Sequence, residues 1–266
     1  MKNYRVIIGF AMICFLALIA ILASHLSSHS PYTISLPQEL ATPSAEHLLG
    51  CDQNGTDILA IILHGTRISL LVGFSVTFLC LFIGLILGSV SGWKGGMIDS
   101  FIMRILDIIF AFPGIILAIA LASVLGPSMH NLIFALAFTG WAGYTRLVRG
   151  EVRALKEKEY VQAAEALGVH PIRIVMVHIW PNLISTLFVA ASFGIAGTII
   201  AEASLSFLGV GVPPGTPSWG SLVNFGKDYL LEAPHVSTFP GLAIMFTVLA
   251  FNILGEGLRE KFDTKG

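Results

Sequence analysis

The chain has 266 residues, 55% of them hydrophobic and 12% charged, with a mean hydropathy of +0.83 and a formal net charge of −1. A soluble domain carries roughly 25% charged residues, so an ordinary soluble globule is excluded and the composition is that of a lipid-embedded protein. No basic surface points to nucleic acid, and Cys14, Cys51 and Cys80 form neither a CxxC pair nor a metal-ligand spacing.

Six apolar runs, at about 6–23, 70–90, 105–125, 132–148, 183–205 and 241–254, each come near the roughly 20 residues that a helix needs to cross the hydrocarbon core. The sixth is short but extends over 239–258. The hydropathy therefore predicts an all-α membrane protein with about six transmembrane helices. Lys2 and Arg5 precede the first run, as in a signal peptide. The run is longer than an h-region and lacks a clean A-x-A end, so it reads as an uncleaved anchor.

The next segment, 24–57, is polar and turn-rich, with Pro31, Pro37, Pro43, Gly50 and Gly55. It reads as an extracytoplasmic connector. His25, His29, His47 and His64 lie in or beside it, and His25 and His29 are four residues apart. No carboxylate or Cys stands at matching ligand spacing, so these are read as surface histidines and no metal is assigned.

The second run carries Gly84, Gly88 and Gly92 at four-residue intervals. Glycines on one face let helices approach closely, either inside the chain or at a subunit contact. In the third run, Pro113 should bend the helix, because it removes a backbone bond and crowds the preceding turn. Asp107 lies at the inner end of that run.

Between the fourth and fifth runs, 150–182 is too polar to span yet rich in helix formers up to Leu167. Tyr160, Ala164 and Leu167 share a face at i, i+4 and i+7. Gly168 is expected to end that helix at a C-terminal cap, and Pro171 to start another. Helix, turn and helix form a rigid projection suited to docking a soluble partner, and the segment is long for a plain connection. In the fifth run Glu202 is a carboxylate in the membrane, expected to face a water-filled pathway or to pair with a neighbouring chain.

With the N-terminus inside, 13 of the 15 Lys and Arg residues fall on the cytoplasmic side, leaving Arg67 and Lys227 outside. The positive-inside rule therefore puts both termini and the 150–182 loop in the cytoplasm.

Tyr160-Val161-Gln162-Ala163-Ala164-Glu165-Ala166-Leu167-Gly168, followed by His178-Ile179-Trp180-Pro181, resembles the EAA loop of bacterial ABC importer permeases. The family pattern is EAA, three residues, Gly, nine residues, then I-x-L-P. Ala163, Ala164, Gly168 and Pro181 match it at the right spacing, while Gln162, His178 and Trp180 depart from it. Leu49-Gly50-Cys51-Asp52-Gln53-Asn54-Gly55-Thr56-Asp57 resembles the LGTDxxGRD signature of the dipeptide, oligopeptide and nickel group, with Cys51 and Thr56 as departures. Gly65-Thr66-Arg67-Ile68-Ser69-Leu70, Ser206-Phe207-Leu208-Gly209-Val210-Gly211 with Pro217-Ser218-Trp219-Gly220, and Phe239-Pro240-Gly241 through Asn252-Ile253-Leu254-Gly255-Glu256-Gly257-Leu258-Arg259 continue the match.

The resemblance implies a type I ABC importer permease fold in the bacterial inner membrane. It implies an N-terminal anchor and connector at 1–69, a permease domain at 70–259 with its coupling loop at 150–182, and a cytoplasmic tail at 260–266. The implied partners are a second homologous permease, two ABC ATPases and an extracytoplasmic substrate-binding protein. ATP would be bound by those ATPases, since this sequence has no G-x-x-x-x-G-K-[ST] loop, and the chain itself would hold no cofactor and catalyse nothing. Tyr160, Gln162, Ala163, Ala164, Leu167, Gly168 and Pro181 are the implied ATPase-coupling residues. The implied substrate is a di- or oligopeptide, with nickel or a metal chelate as the alternative. A secondary transporter would show internal repeats and ionisable groups near the midplane. An intramembrane protease would need a nucleophile beside a base, and no histidine lies mid-span.

Overall fold

The computed structural model describes residues 4–263, so Lys2 and Lys265 of the charge pattern, and the last three residues of the 260–266 tail, lie outside the described residues. The regular structure is helical: α1 (Tyr4–Leu26), α2 (Ile58–Lys94), α3 (Gly96–Phe110), α4 (Gly114–Leu125), α5 (Met129–Lys156), α6 (Glu159–Ala166), α7 (Pro171–Ile174), α8 (Trp180–Phe207), α9 (Trp219–Gly226) and α10 (His235–Asp263). A π turn over Val175–Ile179 joins α7 to α8, so that Pro171–Phe207 is one continuous helix of 37 residues.

Among the described residues, four helices are long and apolar enough to cross a membrane: Tyr4–Leu26, Ile58–Lys94, Pro171–Phe207 and His235–Phe262. The pair α3 and α4 would make a fifth span. Pro113 does more than bend this run. Helix α3 stops at Phe110, α4 starts at Gly114, and the two axes meet at 81°. Proline cannot donate to the ladder and its ring displaces the preceding turn, so an irregular Ala111-Phe112-Pro113 step replaces a kink. The fourth predicted run lies in α5, which is long enough at 28 residues but diluted by Thr139, Tyr144, Thr145, Arg146 and Arg149. The helix around the second run begins 12 residues before the apolar run predicts, because Asp57 caps it: its Oδ1 accepts from the Ala60 N–H at 2.7 Å.

The glycines of α2 face α5 within the same chain. A Cβ added at Gly84 would lie 2.9 Å from the Thr145 nitrogen, one at Gly88 2.7 Å from the Thr145 oxygen, and one at Gly92 2.9 Å from the Arg149 oxygen. Backbone meets backbone along two turns of each helix, which no larger residue would permit. Of the two readings of this stripe, the internal one is what the structure contains.

α1 and α10 run antiparallel and touch as closely. An added Cβ at Gly257 would sit 2.6 Å from the Val6 nitrogen. Arg5 pairs with Glu260 and, at 3.7 Å, with Glu256. The start of α1 and the end of α10 therefore share one side of the helical body. The last turns of α5 share it too, since Leu147 and Glu151 line a groove with Arg259 and Phe262. At the opposite end Arg67 donates to the carbonyls of Ala20 and Ile21 in the last two turns of α1. Phe10, Phe15, Phe78 and Phe82 remain exposed, as lipid-facing side chains should.

Gly88→Ala tests the α2–α5 contact. Its Cβ meets backbone that cannot yield, so overpacking should cost about 1–3 kcal/mol and lower the unfolding temperature of the purified chain. Gly143→Ala, where an added Cβ meets nothing within 4 Å, should leave it unchanged.

Candidate functional site

The projecting loop is built as a cap between two short helices. Val169 N–H donates to the Ala164 carbonyl at 3.1 Å and Gly168 N–H to the Glu165 carbonyl at 3.0 Å. These paired bonds close α6, with Gly168 in the left-handed region at φ +76. Pro171 opens α7, and the His170 ring accepts from the Ile172 N–H. Val161, Ala164 and Ile174 are buried together beneath the turn, against Val169 and Trp93 of α2.

The buried face of α6 is thus Val161 and Ala164, not the predicted Tyr160–Ala164–Leu167 stripe. The helix has only eight residues, and Leu167 is its C-cap, turned off the helical course. Tyr160 and Leu167 instead point outward, Leu167 with 84% of its surface exposed. Gln162 and Ala163 are exposed beside them, and Gly168 has open space around an added Cβ. The loop therefore presents an apolar surface, anchored from below, which an isolated soluble loop would not display.

The departures from the family pattern are used within the chain. Trp180 Nε1 donates to Ser89 Oγ of α2 at 3.0 Å, and the His178 ring lies 6.5 Å from that of Tyr160. Pro181, exposed at the start of α8, offers no N–H to the preceding turn, and the ladder widens to the π form just before it.

Behind the loop stands a cluster that charge pattern alone does not single out. Arg149 of α5 grips Asp99 of α3 with both arms, Nε at 2.5 Å and Nη2 at 2.7 Å. Ser91 of α2 donates to the same carboxylate, and Arg153 lies at 3.6 Å. Lys156 donates to the Trp93 carbonyl at 3.0 Å and lies over its ring. The available signal is scarcity: Asp99 and Asp107 are the only acids between Ile58 and Gly150. Asp107 has an exposed pairing of its own, with Arg146 at 3.1 Å.

Glu202 meets neither a water-filled surface nor an open face. It is fully buried inside the chain and accepts from Ser206 Oγ at 2.8 Å, Ser218 Oγ at 3.1 Å and Ser69 Oγ at 3.2 Å. The expectation of a pathway or a neighbouring chain is replaced by an internal site, because serines from three distinct segments arrive first. Around it, Trp219 Nε1 donates to the Ile62 carbonyl at 3.0 Å, over Gly65, where an added Cβ would lie 2.9 Å from the indole. Three separate sequence motifs, at 65–70, 206–211 and 217–220, thus converge on one carboxyl group.

The connector folds into tight turns. Asp52 accepts from the Asn54 and Thr56 N–H groups at 2.8 Å each, and Gly50 and Gly55 have positive φ. Burial pushes the Asp52 carboxyl up, while those hydrogen bonds pull it back. Cys51 is pushed up to about 11 by burial and then by Asp57 and Asp52, so it remains a thiol. The fold also brings a carboxylate to the connector histidines, which sequence spacing does not suggest: His47 Nδ1 lies 2.8 Å and His29 Nδ1 3.8 Å from Asp57 Oδ2.

Removing the buried acceptor should be costly. In Glu202→Ala the hydroxyls of Ser69, Ser206 and Ser218 lose their partner, at about 1–3 kcal/mol for each buried group that finds no other. Glu202→Gln retains an acceptor oxygen and should lose less. Thermal unfolding of the protein purified from membranes reads the difference; equal losses would show that the cluster is packing alone.

Residues 84–265 match the family described as the binding-protein-dependent transport system inner membrane component. The chain is 41% identical over 264 residues to a dipeptide transport system permease protein of Alkalihalophilus pseudofirmus, covering 99% of this chain and 87% of the relative. It is 45% identical over 223 residues to a glutathione transport system permease protein of Pectobacterium atrosepticum, covering 84% of this chain and 74% of the relative. A chain of an inward-facing methionine ABC transporter superposes with a TM-score of 0.61 at 20% identity, over 74% of this chain and 93% of that one, a likeness of fold. With four membrane-length helices among the described residues and a family match over more than half its sequence, this chain belongs to the binding-protein-dependent transport system inner membrane components.

Proposed function

We propose that this chain is one of two homologous permeases in an ATP-driven importer of di- or oligopeptides. Two ABC ATPases would bind and hydrolyse ATP on the cytoplasmic side, and an extracytoplasmic binding protein would deliver the substrate. The peptide reading is supported by relatives named for dipeptide and glutathione transport, themselves peptide substrates.

The observation that carries the coupling role is the α6–α7 projection. It is exposed at Tyr160, Leu167 and Ile172, fixed from beneath by Val161, Ala164 and Ile174, and continuous with α8. A partner closing on such a surface has no slack to take up in the turn. Its motion is passed to α8, and through Glu202 to α2 and α9. In this reading Gln162, Ala163, Gly168 and Pro181 shape the contact, and Glu202 anchors the far end of α8 rather than lining the pathway.

The same reading assigns six crossings, with α5 as the fourth and the broken α3–α4 pair as the third. Both termini and the loop then face the cytoplasm, in keeping with the lysine and arginine distribution and with the shared side of α1, α5 and α10. Residues 1–69 serve as anchor and connector, 70–259 as the permease domain and 260–266 as a tail.

Gly168 separates turn geometry from docking. Asparagine tolerates the left-handed conformation, so Gly168→Asn should retain the turn and much of the coupling. Gly168→Asp places a charge on the docking surface and should sharply reduce co-purification of the ATPases, or the hydrolysis stimulated by the loaded binding protein. Insertion into the membrane should be unaffected. Full stimulated hydrolysis in Gly168→Asp would show that this loop is not the coupling element.

A further inference from the structure

We propose that His29, His47 and Asp57 form a binding site for a divalent transition-metal ion of the zinc class. The three residues come from separate parts of the connector. His29 follows α1, His47 precedes the signature turn, and Asp57 caps α2. Their ligand atoms all lie within 4.8 Å of one another.

Two imidazoles converge on a single carboxylate oxygen, at 2.8 Å and 3.8 Å, with ring centroids 4.6 Å apart. The first distance is a hydrogen bond; the second is too long for one. Zinc bonds of about 2.0–2.2 Å at the tetrahedral angle set ligand atoms roughly 3.3–3.6 Å apart. The two imidazole–carboxylate separations bracket that range and the remaining pair lies within 4.8 Å, so an ion can be seated with side-chain shifts of up to about 1 Å.

Two of the three ligands are held from outside the cluster. The other Asp57 oxygen is engaged by the Ala60 N–H. The His47 backbone exchanges bonds with Ser44, and its ring is buried with Nε2 lacking any hydrogen-bond partner. Among the described residues, the ring's hydrogen bonding is therefore directed to the Asp57 carboxylate alone. The His29 side chain is 36% exposed, which gives an ion a route in and leaves a coordination position to water.

Two imidazoles and one carboxylate are the donor set of zinc and its first-row neighbours, whereas magnesium and calcium take oxygen ligands. An ion here would tie the end of the α1 connection to the first turn of α2, across the connector. This assignment is independent of the importer reading.

The probe is zinc chloride, titrated calorimetrically into the full chain purified through a tag without histidines. One ion per chain is expected, with EDTA lowering the unfolding temperature of the zinc-loaded protein. His29→Ala removes an exposed ligand, and Asp57→Asn removes the charge while retaining a good helix cap. Each should weaken zinc binding about tenfold or more, without lowering the metal-free unfolding temperature. His25→Ala, outside the cluster, should bind as wild type. Absence of a zinc isotherm overturns the site, as does binding that survives both ligand variants or falls equally in His25→Ala.

Discussion

Everything in this molecule is referred to the backbone contact between α2 and α5. Lipid offers no hydrophobic drive between helices, so close packing must supply the association. Gly84, Gly88 and Gly92 remove the side chains that would hold the two helices apart. With that contact set, Arg149 arrives where it can take Asp99 with both arms, and α3 is fastened to both helices. Lys156 reaches the Trp93 carbonyl for the same reason, and Trp93 forms part of the floor beneath the loop. The apolar projection is thus stabilised by a contact made well inside the helical body.

The Glu202 cluster performs the corresponding task at the other end of α8. A buried carboxyl group surrounded by hydroxyls is favourable only when every partner is in place. That condition couples the position of α8 to α2 through Ser69 and to the loop before α9 through Ser218. Gly220, where an added Cβ would fall 2.7 Å from the Ala203 Cα, lets α9 lie against α8 closely enough to complete it. Residues that look like isolated signature letters in the sequence are the parts of one hydrogen-bond assembly.

The periodic and compositional features are legible in the residues alone. Apolar runs locate the membrane helices, Gly168 and Pro171 locate the turn, and the spacing around Ala163 and Ala164 locates the projection. What escapes is the set of relations between distant residues. Helical spacing sets Ser206 beside Glu202 at i+4, but nothing local discloses Ser69 and Ser218, 133 and 16 residues away. Linear spacing likewise hides Asp57 from His29 and His47, because a connector folded by turns has no fixed period. Pro113 is legible as a disruption, but its extent depends on which neighbours receive the two halves. Periodicity misplaces the face of α6 because it fails within a turn of each helix end, where a short helix has most of its residues.

The continuity of Pro171–Phe207 gives the loop mechanical leverage. At 1.5 Å per residue, 37 residues make a shaft about 55 Å long. A rocking of about 5° pivoted at one end sweeps the opposite tip through about 5 Å, roughly the spacing of successive helical turns. A displacement of that size is too large for the Glu202 hydroxyl cluster to absorb by stretching. The shaft must therefore carry its serine-bearing neighbours along, or change partners in a discrete step. Under the proposed coupling role, a structure geared in this way would convert a small angular input at the ATPase contact into an all-or-none rearrangement at the far end of α8.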